Sequence, residues 1–229
     1  RFHTEFRRRT TISGKAIRSA RRSNDRRHVH AKHYPAIREL SSMTKVADQT
    51  LREYLAQVAQ KSSTPGGGAV AAVIAAEACA LLSMVAHFTQ DDLDDLLVRT
   101  NKSRTTLLSL AEEDSRAFNS VMAAYKGDGE LELALREAAE VPINIVRICY
   151  SHVTDLFLLA ERGNKNLISD VAIAASLFSS ALESSRFNVL INIRNIEGDA
   201  SDLTGDIMDI DRYLGDCNKI CEQIRKELT

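Results

Sequence analysis

The stretch that most constrains this chain is "STPGGGAVAAVIAAEACALLSMVAHF", residues 63–88. Three glycines follow a Ser-Thr-Pro turn and open straight into a run of small apolar residues. Each glycine costs a helix about 1 kcal/mol relative to alanine, so three at a helix start require a turn, a close helix contact or a ligand. Ala69 to Ala86 is long enough to raise the question of a membrane span. Glu77 interrupts it, however, and alanine dominates it, which fits a helix buried inside a bundle. The rest of the chain agrees. It has no tryptophan, three prolines and an apolar content of 44%, a profile of helices rather than of a sandwich or barrel.

Helix start and stop signals divide residues 43–229 into six segments. Thr50–Gln60 is amphipathic and ends at the Ser62-Ser63-Thr64-Pro65 turn. The glycines lead a second helix to about Phe88, and a third spans about Leu93 to Tyr125, stopped by "KGDG". The fourth runs from Glu130 to Leu159, bent or restarted at Pro142, which lacks an N–H. Gly163 ends it, and Asn164 or Asn166 caps a fifth that continues to Glu183 or beyond. A last helix follows Ser201. "FNVLINI" (Phe187 to Ile193) reads as strand or buried helix by period alone. The expected fold is an all-α single bundle of about six helices.

Charge is unevenly placed. Residues 1–42 carry 12 Lys/Arg against 3 Asp/Glu and four of the six histidines, and residues 43–229 are acidic. The first segment reads as basic and non-globular, an upstream sequence, leader or tail outside the fold. The acidic remainder makes nucleic acid an unfavoured partner. The cysteines Cys79, Cys149, Cys217 and Cys221 fall in apolar helical patterns without zinc spacing. They suit a reducing compartment, so the expected location is cytoplasmic, or an organelle if residues 1–42 are a transit peptide.

Two carboxylates stand alone on apolar faces. Asp114 shares a stripe with Phe118, Val121, Met122 and Tyr125, and Asp170 shares one with Leu167, Ile173, Ala174, Leu177 and Ala181. A carboxylate removed from water needs a partner, a helix end or a function. For mid-helix Asp114 the structural alternative is a buried pair with Arg or Lys, and for Asp170 it is a helix-start interaction. Asn188 and Asn192, one turn apart, hold helices together or clamp a heteroaromatic ligand. His87 and His152 read as satisfied structural imidazoles. No Ser/His/Asp order, zinc set or phosphate loop is evident, since "STPGGG" lacks both a P-loop lysine and a preceding strand.

Four blocks, "STPGGGAVAAV…ALLSMVAHFT", "EDSRAFNSVMAAYK", "REAAEVPINI" and "GNKNLISDVAIAASLFSSALESSRFNVLINI", occur in an order that resembles the formimidoyltetrahydrofolate cyclodeaminase and methenyltetrahydrofolate cyclohydrolase family. The resemblance covers most of Met43 to Arg194. It implies a helical homodimer that holds a tetrahydrofolate derivative beside the glycine turn and uses no metal and no cofactor beyond that substrate. It implies one of two reactions: ring closure of 5-formimidoyltetrahydrofolate with loss of ammonia, or hydrolysis of 5,10-methenyltetrahydrofolate to the 10-formyl form. It also implies roles. Thr64, Pro65, Gly66, Gly67 and Gly68 form the turn against the ligand. Asp114 and Asp170 are the acid/base candidates, and Asn164, Asn188 and Asn192 hydrogen-bond the pterin or help shape the pocket. Lys126 and Lys165 meet the glutamate tail. A separate formimidoyltransferase is the expected partner if ammonia release belongs to histidine breakdown. Relative to the family, Ala69 stands where a serine is usual, Glu77 enters an apolar stretch, and the loop after Tyr125 is shortened to "KGDG". An alternative from another class is a non-catalytic folate-binding or interaction module on the same scaffold.

Overall fold

The computed structural model describes residues 45–229, so the basic segment expected at 1–42 lies outside the described residues. Eight α-helices follow in order: α1 (Leu51–Val58), α2 (Gly67–His87), α3 (Asp94–Ala124), α4 (Leu131–Ser151), α5 (Val153–Arg162), α6 (Ile168–Ile193), α7 (Gly205–Met208) and α8 (Ile210–Leu228). Among the described residues there is no strand, and "FNVLINI" is the end of α6. All six expected segments are present. The division of the fourth differs from expectation. Pro142 sits inside a continuous α4, and the break comes ten residues later at His152, which closes α4 and opens α5.

Local chemistry sets several ends. Thr50 and Glu53 form a reciprocal capping box at α1, which satisfies two N–H groups that a helix start leaves unpaired. α5 ends at Gly163, where the backbone turns extended and a β-carbon would lie 2.3 Å from the Leu159 carbonyl oxygen. Asn164 then caps the turn that leads into α6 by accepting from the Asn166 N–H.

α2 is the centre of the bundle. Ala69, Ala71, Ala72, Ala75, Ala78, Cys79, Leu82 and Val85 are fully buried, and α3 and α6 flank it in a core shared with α4, α5 and α8. Its alanines explain that position, because short side chains let neighbouring helices approach from several sides. By length and composition, Gly67–His87, Leu131–Arg162 and Lys165–Ile193 are apolar enough to cross a membrane, but here they pack against one another. α6 runs antiparallel to α2. It starts beside the end of α2, where the Asn164 side chain donates to the Phe88 carbonyl at 2.9 Å, and returns along α2 to its glycine start. The ion pair of Arg186 with Asp211, braced by Glu183 of the same helix, ties α6 to α8, and Arg136 holds the turn after α6 through Asp202.

Cys79, Cys149 and Cys217 are buried and Cys221 half-buried, all as free thiols. Burial pushes the Cys79 thiol up to about 12 and Cys217 to about 11. These groups stay protonated at neutral pH, which makes them poor nucleophiles.

Candidate functional site

The glycine turn and Asp114 form one unit. Gly66 precedes α2 in an extended conformation without a side-chain cap. Instead, the carboxylate of Asp114 reaches across from the middle of α3, and its Oδ2 accepts the Ala69 N–H at 3.0 Å. Gly68 is a glycine because of this contact: a β-carbon there would lie 2.0 Å from Asp114 Oδ1 and 2.5 Å from its Cγ. Among the described residues no Arg or Lys holds Asp114. It caps the start of a different helix, a use of a mid-helix carboxylate that its own segment cannot reveal. Ala69, the residue that replaces the family's serine, contributes its backbone N–H. Among the described residues the N–H groups of Gly67 and Gly68 remain unclaimed, so the positive end of the α2 dipole stays open to a ligand.

Burial raises the Asp114 pKa above its ordinary 3.8, against an opposing pull from the Ala69 hydrogen bond. A carboxyl held in this way is a candidate to give and take a proton. The stability consequence has a definite sign. A raised folded-state pKa means that the folded state holds its proton more tightly, so the contribution is complete below 3.8 and is lost as pH rises through the folded value. Asp114→Asn, which mimics the neutral form, is expected to gain Tm relative to wild type as pH increases from 4 to 8. A constant difference across that range would contradict it.

Tyr54, the buried residue of α1, was not singled out by the sequence pattern. Among the described residues its hydroxyl has no hydrogen-bond partner, and burial, with the charges of Asp114 and Glu77 nearby, pushes its pKa up to about 12. Beyond Asp114 the stripe expected in the core is partly solvent-facing. Val121 is buried, while Phe118, Met122 and Tyr125 are exposed, which gives an apolar shelf running away from the carboxylate. Lys126 is exposed at the end of that shelf.

Asn188 and Asn192 belong to the same end of the bundle. Asn188 donates through Nδ2 to the Ser184 carbonyl at 3.0 Å. Asn192 donates to Asn188 O at 3.0 Å and across to Ala138 O of α4 at 3.2 Å. Only the Asn192 bond to Ala138 O joins two helices; among the described residues neither amide oxygen accepts a hydrogen bond, so both can accept from a ligand. Thr64 and Pro65 are half-buried in the turn itself, where Ser62 Oγ donates to the Thr64 carbonyl at 2.9 Å.

Asn164, Lys165 and Asp170 lie elsewhere. Asn164 is bonded to Phe88 and Thr89 at the far end of α2. Lys165 Nζ donates to Ala160 O at 2.9 Å and lies 3.9 Å from Glu227. Asp170 is half-buried in the first turn of α6, with no side-chain partner among the described residues. Twenty-one residues of α2 separate this group from the glycine turn, about 30 Å at 1.5 Å per residue. Within one chain Asp114 and Asp170 do not meet.

A second polar cluster was missed by the sequence reading. His152 Nδ1 lies 2.8 Å from Asp155 Oδ2 and Nε2 lies 2.9 Å from Ser103 Oγ, while Arg99 donates to Asp155 Oδ1 at 2.7 Å. The connectivity is that of a nucleophile, base and acid, but Ser103 is mid-helix, where the backbone N–H groups are already bonded and no oxyanion site forms. Its evident work is to fasten α5 to α3. His152 is thus a satisfied structural imidazole, as its apolar surroundings imply.

With this geometry in place, comparison with known proteins identifies the class. The formiminotransferase-cyclodeaminase family pattern matches residues 50–203, and the chain belongs to that family. It is 31% identical over 170 residues to the methenyltetrahydrofolate cyclohydrolase of Methylorubrum extorquens, covering 66% of this chain and 82% of that one. It is 32% identical over 172 residues to the formimidoyltransferase-cyclodeaminase of Rattus norvegicus, of which it spans only 32%. The crystal structure of formiminotetrahydrofolate cyclodeaminase from Thermotoga maritima superposes with a TM-score of 0.75 at 35% identity, covering 80% of this chain and 98% of that one.

Proposed function

We propose that this chain is a folate one-carbon enzyme that transforms the carbon carried between N5 and N10 of tetrahydrofolate. The observation that carries the reading is the Asp114 carboxyl, raised in pKa by burial and held by the Ala69 N–H against the open start of α2. The folate ring system fits the shelf of Phe118, Met122 and Tyr125, with the amide oxygens of Asn188 and Asn192 accepting from the pterin. The relatives' names, cyclohydrolase and cyclodeaminase, fit this chemistry.

Both reactions pass through a tetrahedral carbon between two nitrogens. In cyclodeamination, N10 attacks the formimidoyl carbon and loses its proton, and the departing nitrogen must be protonated before ammonia leaves. In cyclohydrolysis, water adds to the methenyl carbon and gives up a proton, and N5 takes one as its bond to that carbon breaks. A single carboxyl can shuttle the proton in either case, worth roughly 10²–10⁴ in rate. Ionised, it also stabilises the cationic methenyl group. No cofactor other than the folate itself enters these steps. The enzyme works as a homodimer, and its unpaired thiols suit the cytoplasm.

The test follows the absorbance of 5,10-methenyltetrahydrofolate. Wild type is expected to accelerate its loss or, supplied with the 5-formimidoyl compound, its appearance, and the faster substrate names the activity. A folded protein that turns over neither form sinks the enzyme reading and leaves the binding-module alternative.

A further inference from the structure

Two unmatched groups meet at the glycine turn, one a donor and the other an acceptor. The donor is Tyr54, the one buried residue of α1, whose Leu51 and Leu55 are exposed. The turn 59–66 joins α1 directly to the start of α2, so this short helix is a strap fastened beside the glycines by a single ring. Its hydroxyl is enclosed and, among the described residues, reaches no acceptor. A buried hydroxyl without a partner lowers stability, and phenylalanine would fill the same space without that cost. The hydroxyl therefore calls for a use.

The acceptor is Asp114. Its Oδ2 takes the Ala69 N–H at 3.0 Å. Oδ1 lies against Gly68, where a β-carbon would stand 2.0 Å away, and among the described residues it accepts from no donor. A carboxylate offers several acceptor sites, so one bond leaves this half-buried group short of donors. Burial first, and then the charge of Asp114, keep the Tyr54 phenol protonated, which places the two groups within electrostatic reach. Glu77 of α2 is the competing acceptor. Its charge acts on the phenol less than that of Asp114, and its side chain is exposed to water. Other charged residues near this end of α3, α4 and α6 pair with one another: Glu113 with Arg116, Glu140 with Arg147 and Glu183 with Arg186.

We propose that Tyr54 is the positioning residue of Asp114: its hydroxyl donates to Oδ1 of the ionised carboxylate and holds that group toward the folate. A strap held by one ring needs only a small shift to close this bond, and catalytic hydrogen bonds commonly tighten when substrate is bound. The catalytic consequence rests on the folate reading, whereas the hydrogen bond does not. In both reactions the carboxylate first takes a proton, from water or from N10, so its ionisation sets the acid limb of the pH–rate profile. A donor to the charged form favours that form and offsets part of the burial that raises the Asp114 pKa.

Tyr54→Phe keeps the ring and removes the hydroxyl. Its acid limb is expected to move up by about one pH unit, so that turnover below the limb falls roughly 10-fold while KM changes little. Thermal melts give an arm that needs no substrate. Tyr54→Phe is expected to lower Tm more at pH 8 than at pH 4, and that difference is expected to shrink in an Asp114→Asn background. An acid limb that stays in place, or a Tm raised equally at both pH values as for an unused hydroxyl, overturns the proposal. So does a Tm loss that survives Asp114→Asn and disappears in Glu77→Gln, which would assign the hydroxyl to Glu77. If wild type turns over neither folate, the proposed reaction falls and the melts alone decide whether Tyr54 serves Asp114.

Discussion

Gly68→Ala is expected to lower folate turnover by at least about 100-fold while moving Tm by only a few degrees. The added β-carbon would stand 2.0 Å from Asp114 Oδ1, so the carboxylate must rotate away and release the Ala69 N–H. The fold absorbs this cheaply, because the obstructing atoms are the end of a side chain rather than backbone. A charge-assisted hydrogen bond worth about 1.5–3 kcal/mol is lost, and alanine returns up to about 1 kcal/mol of helix propensity. The remaining deficit of about 0.5–2 kcal/mol corresponds to roughly 1–8 °C in a domain of this size. The site has no such compensation, since its carboxyl is displaced from the reacting carbon. Gly67→Ala is the control for stability: no atom lies within 4 Å of its β-carbon, so an unchanged or higher Tm is expected. Steady-state rates and thermal melts on the two variants check the pair. A Gly68→Ala protein with wild-type turnover would remove Asp114 from the chemistry.

The contrast between those adjacent glycines shows what the sequence could and could not disclose. That a triple glycine opens α2 was legible, as were the lone carboxylate at 114 and the stop at Gly163, because each rests on neighbours within a turn or two. The partner of Asp114 was not, since the Ala69 N–H lies 45 residues away and belongs to the backbone, which carries no residue-type signature. Long-range contact also explains the errors of degree. Phe118, Met122 and Tyr125 have the spacing of a core stripe, but among the described residues no helix covers that part of α3. Pro142 has the chemistry of a kink, yet α4 runs through it, and His152 makes the break instead. The His152–Asp155 pair is three residues apart and could have been read from the sequence. Ser103 and Arg99, 49 and 56 residues from their partners, could not. The separation of Asp170 from Asp114 follows from α6 running antiparallel to α2, which periodicity does not specify.

Asp155→Ala is expected to cost about 3 kcal/mol of stability at neutral pH, a fall in Tm of roughly 6–12 °C. Asp155 is 3% exposed. Burial alone would raise its pKa, but hydrogen bonds from His152 and Arg99 outweigh that and hold it below its ordinary 3.8. Its removal leaves Nδ1 of His152, itself 1% exposed, without a partner in the core. Breaking a buried charged pair typically costs 3–5 kcal/mol. The lower end applies because Arg99 is half-exposed and can return to water. A depressed carboxyl pKa stabilises the fold above its unfolded value and is lost as pH falls through the folded one, so the gap between wild type and variant should close below about pH 3.8. Asp155→Asn keeps an acceptor for either donor and should lose less. Denaturant melts of the three proteins across pH 3 to 7 give the comparison. Turnover measured well below the variants' Tm should match wild type, since the cluster fastens α5 to α3 away from the glycine turn. A variant that kept its stability but lost turnover would instead make Ser103, His152 and Asp155 part of the chemistry.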